Sequence, residues 1–212
     1  LTDRIIHLDP ASAEYPYAWN ALDDIRAFPA TVRRDYLIEL LISVYNIKRS
    51  QFVEYVADVM LKHDTATLIT FHSLILDEKA REIFFDQDKK EKELFEEKLK
   101  TDSELAAVLE EEGRYVAKDT LVRNLLGQST SKFSLKDINN GKIIIVDFSH
   151  IRIFPTRMTP LVRVFVDVVR MMGNHAEHPA SLYLHDCLRY LGEGEIERIF
   201  STKGVAVTVA DT

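Results

Sequence analysis

The stretch Leu182-Tyr183-Leu184-His185-Asp186-Cys187 is an apolar run that ends in polar groups. In open α/β sheets ligands bind at the carboxyl ends of the strands. An acid placed there can hold Mg2+ or orient an attacking water. Asp147, near the end of the earlier apolar run Lys142 to Phe148, points to the same general edge. A strand-ending Asp can equally cap or turn the chain, so each residue taken alone leaves both readings open. Arg157, Arg163, Arg170 and Arg198 could meet phosphates or a subunit interface, or could line solvated helix faces.

Two other clusters carry less. A nucleotide-binding α/β core needs a glycine-rich loop between a strand and a helix, where backbone N–H groups approach phosphates at the helix N-terminus. Gly127-Gln128-Ser129-Thr130-Ser131-Lys132 has the composition but not the Gly-Lys-Ser/Thr ending, and it follows a helix instead of a strand. It reads as a helix-ending loop. His175-Ala176-Glu177-His178, followed by His185 and Cys187, has residue types that zinc prefers. The two histidines stand at i and i+3, however, where a zincin pair needs i and i+4. The deaminase pattern fails for want of a second Cys. A polar helix-to-strand loop is the simpler reading, and no metal site is assigned.

The elements that must position these residues follow from periodicity. Arg4 to Leu8 reads as a short strand stopped by Asp9-Pro10. Glu14 to Asn20 is aromatic and irregular. From Ala30 the apolar residues recur at helical spacing, with two helices broken near Lys48-Arg49-Ser50. Asp64 and Thr65 offer N-caps for a helix over Ala66 to Leu76, and Thr101 with Glu104 forms a capping box before a helix over Leu105 to Leu126. Gly127 then serves as its terminator. After Gly141 the pattern changes to strand (Lys142 to Phe148), helix (Thr156 to Met172), strand (Ser181 to Leu184), helix (Glu193 to Phe200) and strand (Val205 to Ala210). Such a series of buried-looking strands predicts parallel pairing with right-handed crossovers, an α/β fold. The domains expected are 1–29, the first strand and irregular segment of the core; 30–127, an inserted all-helical domain; and 128–212, the βαβαβ part of the core.

Composition narrows the function classes. The chain has 212 residues, 46% apolar and 29% charged, with 7 Gly, 6 Pro and 1 Cys, which excludes disorder, collagen and a disulfide scaffold. One cysteine cannot form an internal bridge, so a reducing compartment is expected. No run of 18 apolar residues could span a membrane, and no signal peptide is recognisable. The sequence begins at Leu1 in mid-pattern and stops after an apolar run, as expected of a piece of a longer protein. Asp77 to Glu112 holds 14 acids against 7 bases, so the whole net charge of −7 sits there. Such a face suits solvent or basic protein partners and could not hold DNA by itself.

Several stretches together resemble a known family. Asp9-Pro10, Glu14-Tyr15-Pro16 and Trp19-Asn20-Ala21-Leu22, then Thr67-Leu68, then Arg123 to Gln128, Phe133 to Ile138 and Gly141 to Asp147, are similar in order and type to the coupling-protein ATPases of type IV secretion and conjugation. These are the TraG and TraD type, in the wider group of HerA and FtsK. The resemblance spans nearly the whole chain. It implies a partial RecA-like, P-loop NTPase-like parallel sheet with an inserted helical domain. It also implies an ATP- and Mg2+-dependent motor that assembles as a homo-oligomeric ring, a hexamer, and drives DNA or nucleoprotein toward a membrane channel. Secretion-channel or relaxosome-type proteins would meet the acidic helical insertion. The protein would be cytoplasmic, at the inner face of the cell membrane through an anchor preceding Leu1, as would be the phosphate-binding loop.

The catalytic positions depart from the family. Aligned on Tyr183, His185 stands where the family has its metal-directing Asp, and Asp186 stands where it has the catalytic Glu; a shift by one residue puts Cys187 there instead. The shorter Asp displaces the carboxylate, and misplacement by about 1 Å can cost on the order of 100-fold in rate. A neutral His cannot replace an anion beside Mg2+. The family's intersubunit arginine falls near Ser201, with Arg198 one turn earlier as a substitute, and the polar sensor falls at Thr212. The resemblance thus makes Asp186, His185 and Thr212 the catalytic positions and Asp147 and Arg198 the cofactor-binding ones. Their joint alteration also fits a non-catalytic relative that keeps the fold for ring assembly or partner docking.

Overall fold

A computed structural model describes residues 5–8, 19–111, 116, 119–140, 143–146, 155–175, 180–185, 194, 197, 200–201 and 203–210. Among them the order is β1 (Ile5–Leu8), α1 (Ala21–Arg26), α2 (Ala30–Tyr45), α3 (Gln51–Lys62), α4 (Leu68–Leu76), α5 (Glu78–Phe84), α6 (Lys89–Thr101), α7 (Ser103–Glu111) and α8 (Thr120–Leu126). A 3-10 turn (Leu135–Asn140), β2 (Ile143–Val146), α9 (Pro155–Gly173), β3 (Ala180–His185) and β4 (Val205–Ala210) complete it. Most of the described chain is helical, with small parallel sheets.

Local chemistry sets the helix boundaries. Asn20 starts α1, its side chain accepting from Leu22 N at 3.1 Å, and Ser50 starts α3 by accepting from Val53 N at 3.2 Å. α2 stops at Asn46, whose left-handed φ of 51° ends the helical run. α1 lies in the stretch expected to be irregular. α4 is capped by Thr67, whose N–H donates to Thr70 Oγ1 at 2.9 Å, in place of the expected Asp64 or Thr65. The helix foreseen as continuous to Leu126 is broken. Thr101 Oγ1 turns back onto Lys98 O at 2.6 Å within α6, and α8 begins anew after Asp119, whose carboxylate accepts from Val122 N at 3.3 Å. Gly127 follows α8 as expected, and a Cβ there would lie 2.6 Å from Arg123 O.

The strands pair in parallel, as expected, and among the described residues they form two two-stranded ladders. β1 pairs with β2 (Ile5 opposite Ile143, Leu8 opposite Val146), and β3 pairs with β4 (Ala180 opposite Val205, His185 opposite Ala210). Every described element between β1 and β2 is helical or a 3-10 turn. The foreseen helix over Glu193 to Phe200 falls mostly outside the described residues. Nor are the strands buried on both sides. Ile6 and Val146 face the core, whereas their neighbours Ile5, Ile143 and Ile145 are 42%, 47% and 44% exposed.

One hydrophobic cluster runs from Leu8 through the helices to Met172. α9 lies against α2, where Arg170 reaches Glu39 Oε2 at 2.8 Å and Arg163 Nη1 donates to Ser43 O at 3.1 Å. Gly204, with φ of 74°, lets β4 begin against the end of α9, since a Cβ there would strike the Gly173 carbonyl.

Two tyrosines with buried hydroxyls make opposite contributions. Tyr45 Oη donates to Leu68 O at 2.7 Å, and burial raises its pKa. Tyr55 Oη is buried without a hydrogen-bond partner among the described residues. An unsatisfied hydroxyl costs about 1 kcal/mol or more, and a satisfied one contributes about 1 kcal/mol. Tyr45→Phe is therefore expected to destabilise and Tyr55→Phe to stabilise, each by about 1 kcal/mol in urea unfolding. Shifts of the same sign for both would contradict this assignment.

Candidate functional site

The carboxyl ends of the strands were the expected site. β3 closes on His185 directly opposite Ala210 of β4, and β1 closes on Leu8 opposite Val146 of β2. His185 is thus at a strand end, as its pattern required. Asp186, Asp147, Arg198 and Thr212 lie outside the described residues, as does Cys187. The described residues therefore bring none of these five positions together.

Of the other candidates, Glu177 and His178 also lie outside the described residues, and most of the rest have structural partners. Arg163 and Arg170 fasten α9 to α2, with Arg170 also 3.5 Å from Asp167, instead of facing a phosphate or a subunit. The Gly127 to Lys132 stretch is a helix-ending loop, as read, and Ser131 within it is tied down by Asn20 and Asp23. His175 Nε2 meets Tyr36 Oη at 2.8 Å, with Phe28 beside both rings. Among the described residues no three His, Cys, Asp or Glu side chains could hold a metal ion. No described helix is long and apolar enough to cross a membrane.

The densest polar constellation was not foreseen. Asp24 is 1% exposed and accepts three hydrogen bonds: from Trp19 Nε1 at 2.7 Å, from Leu135 N at 3.3 Å, and from Ser134 Oγ. Burial pushes its carboxyl above the usual range, against the pull of these donors and of Lys136. Beside it Asn20 N donates to Ser131 Oγ at 2.8 Å, Ser131 Oγ donates to Asp23 Oδ2 at 2.7 Å, and Asn20 Nδ2 donates to Ala66 O at 3.0 Å. The Trp19 indole stacks 4.4 Å from Phe165 and 6.2 Å from Phe133. This neck fastens the segment entering the helices to the segment leaving them, and both to α9. It has the character of a structural joint: the hydrogen-bonding groups of buried Asn20 and Asp24 are used to hold one segment to another. Its sequence signal was an Asn-x-x-x-Asp spacing around a lone Trp, which carries no long-range information.

A second feature is a pocket of about 530 Å3 between α4, α5 and the C-terminal end of α8. Ile69, Leu74 and Phe84 supply apolar walls, and Ser73, Arg123 and Asn124 supply polar ones. Its size is within the range of binding clefts.

No family model and no curated protein matches the sequence. Among solved structures, the chain is similar to a bacterial conjugative coupling protein, TrwBdeltaN70 in an unbound monoclinic form, with a TM-score of 0.57 and 12% identity. The match covers 99% of this chain and 51% of that one, so the chain spans about half the length of that protein. Two parallel ladders with helices between the strands of the first thus belong to a fold seen in a conjugative coupling protein.

Proposed function

We propose that this chain is part of a coupling-protein-like, DNA-translocating ATPase of a type IV secretion or conjugation system. The observation that carries the reading is the likeness in fold to a conjugative coupling protein across nearly all of the chain. The order of elements supports it: strand β1, a helical block, then strand β2 pairing back onto β1. In this reading residues 30–127 are an inserted helical domain set on a partial RecA-like sheet. DNA or nucleoprotein is the cargo, copies of the chain form a ring, and the acidic segment Asp77 to Glu112 receives basic partner proteins. The work is done at the cytoplasmic face of the cell membrane.

ATP with Mg2+ is the cofactor this role implies. Of the catalytic and cofactor-binding positions only His185 is among the described residues, and a neutral imidazole there lacks the anionic oxygen that Mg2+ takes as ligand. No step is derived through the cofactor. His185 in place of the family's metal-directing Asp favours a second reading, a degenerate relative that keeps the fold for ring assembly or partner docking. The two separate in one assay. On the first reading the full-length gene product hydrolyses ATP, and Asp186→Asn lowers the rate by roughly 100-fold. On the second, neither protein hydrolyses ATP, while both still assemble. Hydrolysis that survives Asp186→Asn unchanged removes Asp186 from the catalytic positions.

A further inference from the structure

The pocket between α4, α5 and α8 is lined by helical residues and the loop after α8, and by none of the strand-end positions considered above. It is open on one side, and Ile83 at its rim is 78% exposed, an unusual place for a large aliphatic side chain. Below it Leu74 and Phe84 form an apolar floor, while Ser73 and Asn124 offer hydrogen-bonding groups. Arg123 is exposed at the end of α8 and is the one charged side chain on the lining.

Asp77 to Glu112, of which α5 is the first helix, carries the whole net charge of the chain. Arg26, Arg34, Arg49 and Arg81 each come within 4.0 Å of a carboxylate. Arg123, like Arg33, meets none among the described residues. Gly127 keeps the neighbouring wall low, since a Cβ there would lie 2.6 Å from Arg123 O and 3.4 Å from Ile69 Cγ1. The result is an apolar trough with one cation at its edge that has no carboxylate partner among the described residues.

We propose that this trough binds a peptide segment of a partner protein in which a bulky apolar residue stands next to an acidic one. The apolar side chain enters between Leu74 and Phe84 and covers Ile83, and the carboxylate pairs with the Arg123 guanidinium, which offers a planar fork of donors. An extended chain fits better than an enclosed small molecule, because the trough is open and Ile83 is covered only by a ligand that runs past the rim. This site is independent of the proposed ATPase role and selects a partner of opposite charge to the basic ones suited to the acidic helices.

The test compares acetyl-Leu-Phe-Asp-amide with acetyl-Leu-Phe-Asn-amide on the full-length protein, using saturation-transfer NMR titrations. The acidic peptide is expected to bind about fivefold more tightly than its neutral isostere. Arg123→Gln, an exposed substitution, should abolish that preference. Ile83→Ser should weaken both peptides while keeping their ratio. Equal binding of the two peptides to the wild type, absence of binding, or a preference that survives Arg123→Gln would each overturn the proposal.

Discussion

Trp19→Ala is expected to cost about 4 kcal/mol of folding free energy, the largest effect of any single substitution in the described chain. Trp19 is 2% exposed and stacks on Phe165 and Phe133, so truncation removes a large apolar surface and leaves a cavity between three segments. Those segments are the entry to α1, the stretch leaving α8, and α9. None can collapse into the gap without breaking hydrogen bonds of the neck. The indole N–H is also lost, and with it the 2.7 Å bond to Asp24. Urea unfolding should show a lower midpoint at unchanged slope. Trp19→Phe, which keeps a stacking ring and loses the donor, should cost about 1–2 kcal/mol. A loss below about 1 kcal/mol for Trp19→Ala would mean that the neck is not a stability centre.

Asp24→Ala is the second, at about 3 kcal/mol, because it leaves three buried donors, Trp19 Nε1, Ser134 Oγ and Leu135 N, without their acceptor. Asp24→Asn keeps the shape but turns one oxygen into a donor that faces other donors. Its cost should depend on pH. Burial raises the folded carboxyl above its ordinary value of 3.8, so the folded state holds the proton more tightly than the unfolded one. The stability from that tighter hold is fully present below about 3.8 and is lost as the pH rises through the folded value. The gap in stability between wild type and Asp24→Asn should therefore widen as the pH is lowered toward 3.8. A gap that narrows on acidification would show that the donors outweigh burial. Trp19 and Asp24 touch, so the double substitution should cost less than the sum of the two.

Periodicity revealed those elements whose burial pattern is local. Ile5 to Leu8, Ile143 to Val146 and Val205 to Ala210 read as strands from their apolar runs, and α2 and α3 read as helices from apolar residues at helical spacing. α1 was missed because six residues hold too few turns to show a period. The break before α8 was missed because the apolar spacing of Leu105 to Leu126 continues across it. Pairing was beyond reach for a different reason. Which strand lies beside which is decided by contacts between distant segments, and the same holds for the neck, where Asn20 and Ser131 stand 111 positions apart. At the candidate site, the apolar run ahead of it put His185 at the end of β3, but the pocket is assembled from three helices and no short stretch contains its pattern.

The neck also bears on the order in which the chain assembles. β1 and β2 are neighbours in the ladder but are separated in sequence by the whole helical block, so their pairing closes a very long loop. Loop-closure entropy grows by about 0.6 kcal/mol with each doubling of length for a flexible loop. Once the helices have packed and residues 19–24 have met residues 131–136, the remaining gap is short at both ends. The ladder is then a late event, templated by a block that has already folded. Until it forms, both apolar strands have open edges and unpaired backbone groups, so the intermediate just before ladder closure is where self-association competes with folding.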